Sequence, residues 1–245
     1  MTTKGFRTIG FSYKDYSKAD FESLGDFATA VNKVEANQTF VGIISLKDPL
    51  RDNVKNVVKY AAKGFITVRM VSGDDLQTAS VMALESGILK AEEFGIQTEA
   101  EQAKYIMDAR NLRAECGPVR TQQGEDGDTI YSLDEDKQQR FNQIFETLKV
   151  LGRSDPEDKL LVTVGLKGMK SADFPEGKKV CVVGDGINDL QSFKASDVSF
   201  AMGSGKAISR NAATFVLCND EFESILRGVM WGRNIFSNVK KFLQF

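Results

Sequence analysis

The chain has 245 residues with 32 lysines and arginines against 34 aspartates and glutamates, and its net charge of −2 argues against general nucleic-acid binding. Apolar residues at 42% and charged residues at 27% are the balance of an ordinary soluble fold with a sizeable core. Histidine is absent, which excludes histidine-activated nucleophiles and histidine-ligated zinc.

Taken in chain order, residues 18–36 predict an amphipathic helix with Phe21, Leu24, Phe27, Ala28 and Val31 on its apolar face. Thr39 to Leu46 predicts a strand. Asp48 then predicts a helix cap with Pro49 in the first turn; Val54, Val57, Val58 and Ala61 form the buried stripe and Gly64 the end. Phe65 to Val71 predicts a strand rich in β-branched residues, ending in Ser72-Gly73-Asp74. A helix follows from Asp75 to Leu84, closed by Gly87. The acidic, glycine-bearing stretch from Gly117 to Asp128 predicts a surface loop. Lys149-Val150-Leu151 predicts a short strand, then a helix capped by Asp155 with Pro156 at its first position. Lys179 to Val183 predicts a buried parallel strand that includes Cys181. Further strands are expected at 197–201 and 213–217. This alternation of strands and helices predicts an α/β fold with a doubly wound, mostly parallel sheet. Cys116, Cys181 and Cys218 are scattered and odd in number, which suits a reducing compartment. No targeting segment is visible.

The chemistry is concentrated at the predicted strand ends, where ligands bind in open parallel sheets. Gly184-Asp185-Gly186-Ile187-Asn188-Asp189 turns tightly and projects two carboxylates and an amide. Asp185 can offer a hard oxygen to Mg²⁺; an acidic turn with glycine for geometry is the plain alternative. Ser72-Gly73-Asp74 can present a hydroxyl and backbone N–H groups to a phosphoryl oxygen at a helix start, or can simply cap that helix. Lys159, near the start of its helix, can neutralise a phosphoryl group or lie on solvated surface.

Together these segments resemble the phosphorylation domain of the P-type ATPases, in the haloacid dehalogenase-like superfamily. Asp48-Pro49-Leu50-Arg51 resembles the family's hinge, and Met70 to Asp74 its Thr-Gly-Asp motif with serine for threonine. Arg153 to Lys159 and Gly184 to Asp189 resemble its later motifs, although Leu190-Gln191 stands where the family usually has proline. The tail from Val229 to Phe236 and from Lys241 to Phe245 is similar to the plasma-membrane calcium-pump type. Arg7 to Lys14 resembles the end of the preceding nucleotide domain.

The resemblance implies catalytic roles for Lys159, Ser72, Gly73 and Asn188. It implies phosphate or nucleotide contacts for Ser72, Gly73, Asp74, Arg153, Lys159 and Asn188. Asp185 is implied as a Mg²⁺ ligand with Asp189 in support, and Asp48, Pro49 and Arg51 as the hinge. Residues 1–37 are expected to be a nucleotide-domain remnant with a connecting helix, 38–228 the phosphorylation domain, and 229–245 a stalk. ATP is implied as substrate of the intact pump, Mg²⁺ as cofactor and calcium as transported ion. The implied partners are the nucleotide, actuator and membrane domains, in cis or in trans. The parent is expected on the cytosolic face of a membrane reached after Phe245, the isolated chain in the cytoplasm. The family's phosphorylated aspartate lies in an Asp-Lys-Thr-Gly-Thr string, and no such string occurs in the sequence. One internal strand is therefore expected to be missing from the sheet. Three readings stay open: a pump segment, a catalytically inactive binding or regulatory module, and a soluble phosphatase. The last needs an Asp-x-Asp strand end near the amino terminus, and none is seen.

Overall fold

The computed structural model describes residues 6–25, 30–47, 49–95, 98–124, 127–172 and 174–245. The chain divides into two compact units, Met1–Pro49 and Leu50–Phe245.

In the first unit, β1 (Arg7–Tyr13), α1 (Lys18–Ser23), α2 (Val31–Glu35) and β2 (Thr39–Leu46) follow one another. β1 and β2 form an antiparallel ribbon, Arg7 opposite Leu46 and Tyr13 opposite Thr39, with an irregularity between Phe11 and Ser12. The expected helix over 18–36 is instead two short ones. Ser17 starts the first by accepting the Asp20 N–H at 3.2 Å, and Gly25 at φ +64 lies beyond its end. Phe27 and Ala28 of the expected apolar face lie outside the described residues.

The second unit begins with α3 (Val54–Lys63), which starts later than the sequence predicted. Its N-cap is Asn53 at φ +65, and Asp48, the expected cap, lies outside the described residues. Val57, Val58 and Ala61 are its buried stripe. The expected strand over 65–71 is reduced to β3 (Met70–Val71). The helix end holds the preceding residues: Phe65 N–H donates to Ala62 O and Ile66 N–H to Ala61 O. Arg69 is drawn aside by the Phe145 and Leu148 carbonyls, at 2.7 and 3.0 Å.

Then come α4 (Leu76–Ser86), α5 (Ala91–Phe94), α6 (Glu99–Gln102), β4 (Ile106–Asp108) and α7 (Ala109–Cys116). β5 (Arg120–Gln123) and β6 (Thr129–Ser132) pair antiparallel, Arg120 opposite Ser132, so the stretch read as a loop is largely a hairpin. α8 (Glu135–Phe145), β7 (Val150–Gly152), α9 (Pro156–Gly168) and β8 (Cys181–Gly184) follow. A 3-10 turn at Ile187–Asp189 leads into α10 (Leu190–Ala195), β9 (Val198–Met202), α11 (Ala207–Ala212), β10 (Phe215–Leu217) and α12 (Glu223–Gln244).

All pairings of β3, β4, β7, β8, β9 and β10 are parallel, as predicted for an α/β fold. They form two three-stranded halves, ordered β3-β7-β4 and β10-β9-β8. Among the described residues, β3 and β8 therefore each have one unpaired edge. Cys181, expected to be buried, is exposed on β8, with its side chain on a face that the described residues leave open. The main core lies where α7, α8 and α9 meet β7: Leu112, Phe141, Phe145, Leu148, Leu151 and Leu161 are buried together. Phe141 stacks on Phe145 with ring centroids 4.1 Å apart.

Gly165 shows how tightly α9 and α8 meet. A methyl there would stand 2.5 Å from the Phe141 ring carbons, whereas one at Gly232 on α12 meets nothing within 4 Å. Gly165→Ala should lower stability by about 1–3 kcal/mol through overpacking. Gly232→Ala should raise it by up to about 1 kcal/mol through helix propensity. Urea unfolding of the two variants checks both signs.

Candidate functional site

The loop after β3 is built by short polar contacts. Ser72 Oγ accepts the Asp74 N–H at 3.1 Å and lies 3.1 Å from Asp74 Oδ2. Asp75 then caps α4: its Oδ1 accepts the N–H groups of Gln77 and Thr78, both at 3.0 Å, and the Thr78 hydroxyl donates to Oδ2 at 2.6 Å. The Thr78 hydroxyl leads the interactions that hold the Asp75 carboxyl below its ordinary range.

The loop after β7 is tied to that one through the backbone. Ser154 N–H donates to Ser72 O at 2.9 Å and Arg153 N–H to Asp74 O at 2.7 Å. Gly152 permits this approach, since a methyl there would lie 2.7 Å from Leu76 Cα. Arg153 sits at φ +53, a conformation that costs a non-glycine residue energy. Its guanidinium lies 3.7 Å from Asp108 Oδ2 at the end of β4.

α9 is anchored by a carboxylate buried completely. Asp158 accepts the Asp155 N–H at 2.8 Å and both arms of the Arg113 guanidinium, at 2.8 and 2.6 Å. The same guanidinium reaches Asp155 at 2.7 Å. These carboxylates, Asp158 first, hold the Arg113 pKa above its ordinary value. The next residue, Lys159, donates to Asp189 Oδ1 at 2.7 Å, with Asp189 buried and the lysine partly so. Asp189 Oδ2 accepts the Gly186 N–H at 3.3 Å. A methyl on Gly184 would overlap that carboxylate. Asp185 and Asn188 are exposed, and the Asp185 carbonyl accepts the Lys206 N–H at 3.2 Å.

The residues named from sequence thus fall into two joined sets. Ser72, Gly73, Asp74 and Arg153 belong to loops bonded to each other. Lys159 and Asp189 form one ion pair, with Asp185 and Asn188 on the same turn as Asp189. No hydrogen bond links Lys159 to Ser72 or to Asp185 among the described residues. Of the hinge residues, Pro49 is exposed, Arg51 donates to Asp220 O at 2.9 Å, and Asp48 lies outside the described residues. No group of three acidic, histidine or cysteine residues among those described is placed to hold a metal ion. Asp185 is a single exposed carboxylate on the turn after β8.

Arg113, Asp108 and Gly205 were not singled out from sequence. Asp158, three residues after Asp155, carried a capping signal, but Arg113 lies 45 residues away along the chain. Gly205 leaves no room for a side chain, since a methyl would lie 2.9 Å from Asp185 O.

Residues 1–53 match the family described as P-type ATPase, cytoplasmic domain N, and residues 172–228 the haloacid dehalogenase-like hydrolases. Plasma membrane calcium-transporting ATPase 1 of Gallus gallus is 33% identical over the whole of this chain. The human protein of that name and plasma membrane calcium-transporting ATPase 2 of Oreochromis mossambicus are each 32% identical, again over the whole chain. The chain is thus related along its full length to the P-type ATPases, with the haloacid dehalogenase-like fold. It resembles the plasma-membrane calcium-transporting kind, and it spans 18% of the length of the Gallus gallus and human relatives.

Asp75→Ala should cost about 1 kcal/mol at neutral pH, the ordinary worth of a cap. Because the folded-state pKa is depressed, this stability is present above the unfolded value of about 3.9 and is lost as pH falls through the lower folded value. The gap between variant and parent should therefore narrow below about pH 4. Urea unfolding at neutral and acidic pH measures it.

Proposed function

We propose that this chain is the phosphorylation-domain segment of a P-type calcium-transporting ATPase, handling Mg²⁺ and the phosphoryl group from ATP. The observation that carries the reading is the joining of three strand-end loops. The turns after β3 and β7 are bonded through Ser72, Asp74, Arg153 and Ser154, and the helix after β7 reaches the turn after β8 through Lys159 and Asp189. Full-length similarity to the calcium-transporting ATPases supports the cation and the nucleotide.

In this reading Ser72 Oγ and the Gly73 N–H hold phosphoryl oxygens, and Lys159 balances their charge. Asp189 keeps Lys159 over the strand ends, Asp185 is the Mg²⁺ ligand, and Asn188 and Arg153 lie at the edge of the site. Bound Mg²⁺ supplies positive charge to the transferring group. The remaining ligands come from the phosphoryl group, water and the aspartate-bearing segment of the parent pump. That segment also supplies the nucleophile, because the Asp-Lys-Thr-Gly-Thr string is absent here. Its strand fits between β8 and β3, whose edges are unpaired among the described residues. The nucleotide, actuator and membrane domains complete the pump on the cytosolic face of a membrane. An inactive regulatory module is the second reading, favoured by the same absent string.

The purified chain should form no acid-stable phosphoenzyme with labelled ATP and Mg²⁺. Exchanged for the matching segment of the Gallus gallus relative, it should support calcium-dependent phosphoenzyme formation. Lys159→Ala in that chimera should lower the rate about 10²–10³-fold. Asp185→Asn should weaken Mg²⁺ dependence more than Asp189→Asn. A folded chimera that never phosphorylates would leave the regulatory reading in place of the first.

A further inference from the structure

A pocket of about 770 Å³ lies at the far end of α9 from Lys159. Its walls come from β6, α8 and the carboxyl ends of α9 and α10, all within the second unit. Lys167 on its wall stands about 12 Å along the helix from Lys159. None of Ser72, Lys159 and Asp185 lines the pocket. The walls are tied to each other. Gln138 Nε2 donates to Gly165 O at 2.9 Å and joins α8 to α9. Lys167 Nζ donates to Ala195 O at 2.8 Å and joins α9 to α10, with Asp197 3.8 Å away. Tyr131 and Leu133 pack against the buried Val164 and Ala195 and give the pocket an apolar side. Its charge is one-sided: Lys167, Lys170 and Lys194 line it against Glu135 alone. Lys170 and Lys194 are exposed, and among the described residues neither makes a hydrogen bond or an ion pair.

We propose that this pocket binds a small organic dianion with an apolar body. Its volume falls in the range of about 300–1,000 Å³ that holds a small molecule. The apolar side receives the body, with the Tyr131 ring as a flat surface for it. Lys170 and Lys194 receive the two acidic groups, since the fold gives neither ammonium a carboxylate. Lys167 has a different part: it fastens the wall and adds positive charge behind it. The side-chain amides of Gln139 and Asn142 offer further donors at the edge. A cation in the same place would face three lysines, so charge selects the anion. Because the walls are joined in the free chain, binding requires little ordering of them. The inference rests on this pocket alone and stands apart from the reading of the phosphoryl site.

Naphthalene disulfonate serves as the probe, because it has an apolar body, two fixed negative charges and no phosphoryl group. The intact, isotope-labelled chain is titrated with it and followed by NMR. The expected result is saturable shifts of the Ile130, Gly168 and Ala195 amides, with those of Ser72, Lys159 and Asp185 unmoved. Inorganic sulfate should bind at least about tenfold more weakly, because it lacks the apolar body. Lys170→Gln and Lys194→Gln should each weaken binding of the disulfonate about fivefold. Ile130→Asn, on the exposed rim, should weaken it about threefold. All three side chains are exposed, so folding is kept, and circular dichroism verifies this. Shifts centred on Ser72, Lys159 and Asp185 overturn the proposal and assign the anion to the phosphoryl site. Unchanged affinity in both lysine variants overturns it as well. So do shifts that grow without saturation across the surface lysines, and so does the absence of any shift.

Discussion

The Lys159–Asp189 pair is the contact on which the arrangement of the site depends. The second unit holds its parallel strands in two halves, β3-β7-β4 and β10-β9-β8. Lys159 stands on the helix after β7 and Asp189 on the turn after β8, so the 2.7 Å bond joins the carboxyl ends of both halves. Burying a carboxylate is costly without a partner, and a pair of this kind adds little net stability over apolar packing. Its worth lies in register. Asp189 also accepts the Gly186 N–H, so one carboxylate fixes both the lysine and the shape of the turn that presents Asp185. Gly184 makes that possible by having no side chain where the carboxylate lies.

A lysine can serve as such a link only if its own helix cannot slide or fray. Asp158 meets that need one residue earlier. It is fully buried, and it accepts the Arg113 fork and the Asp155 N–H together. Behind it, Leu161 and Val162 on the same helix pack into the core containing Phe141 and Leu112. The order of dependence therefore runs from an apolar core, to a buried carboxylate with a satisfied guanidinium, to a partly exposed ion pair, to the exposed Asp185 and Asn188. The least buried groups are the ones left accessible to a ligand.

Local signals in the sequence were reliable where one residue's own geometry decides the outcome. Asp75 and Gly87 bound α4, and Asp155 with Pro156 starts α9, because caps and proline act within a turn. The same reasoning failed where a distant partner decides. Phe65 to Arg69 has strand composition, yet the end of α3 and the carbonyls of Leu148 and Phe145 claim its groups. The 117–128 stretch has loop composition, yet Arg120 to Gln123 finds a partner strand in Thr129 to Ser132. Asp48 was legible as a cap, but the observed cap is Asn53 in a left-handed conformation that composition does not announce. At the site, the family-like motifs were readable one loop at a time. The Arg113 fork was not, since its carboxylates lie more than forty positions along the chain.

Cys181 belongs with a different kind of misreading. The run Lys179 to Val183 is patterned for a strand covered on both faces, yet Cys181 and Val183 are exposed and β8 pairs on one side only. β3 is likewise paired on one side, with Met70 and Val71 half-buried. An apolar strand with an open edge is a template for another strand, and natural sequences normally guard such edges with charge or proline. Neither Cys181-Val182-Val183-Gly184 nor Met70-Val71 carries such a guard. The β8 edge ends in the turn that Asp189 shapes, and the β3 edge in the loop bonded to Arg153 and Ser154. Composition suited to burial and a missing guard together support a further strand between β3 and β8.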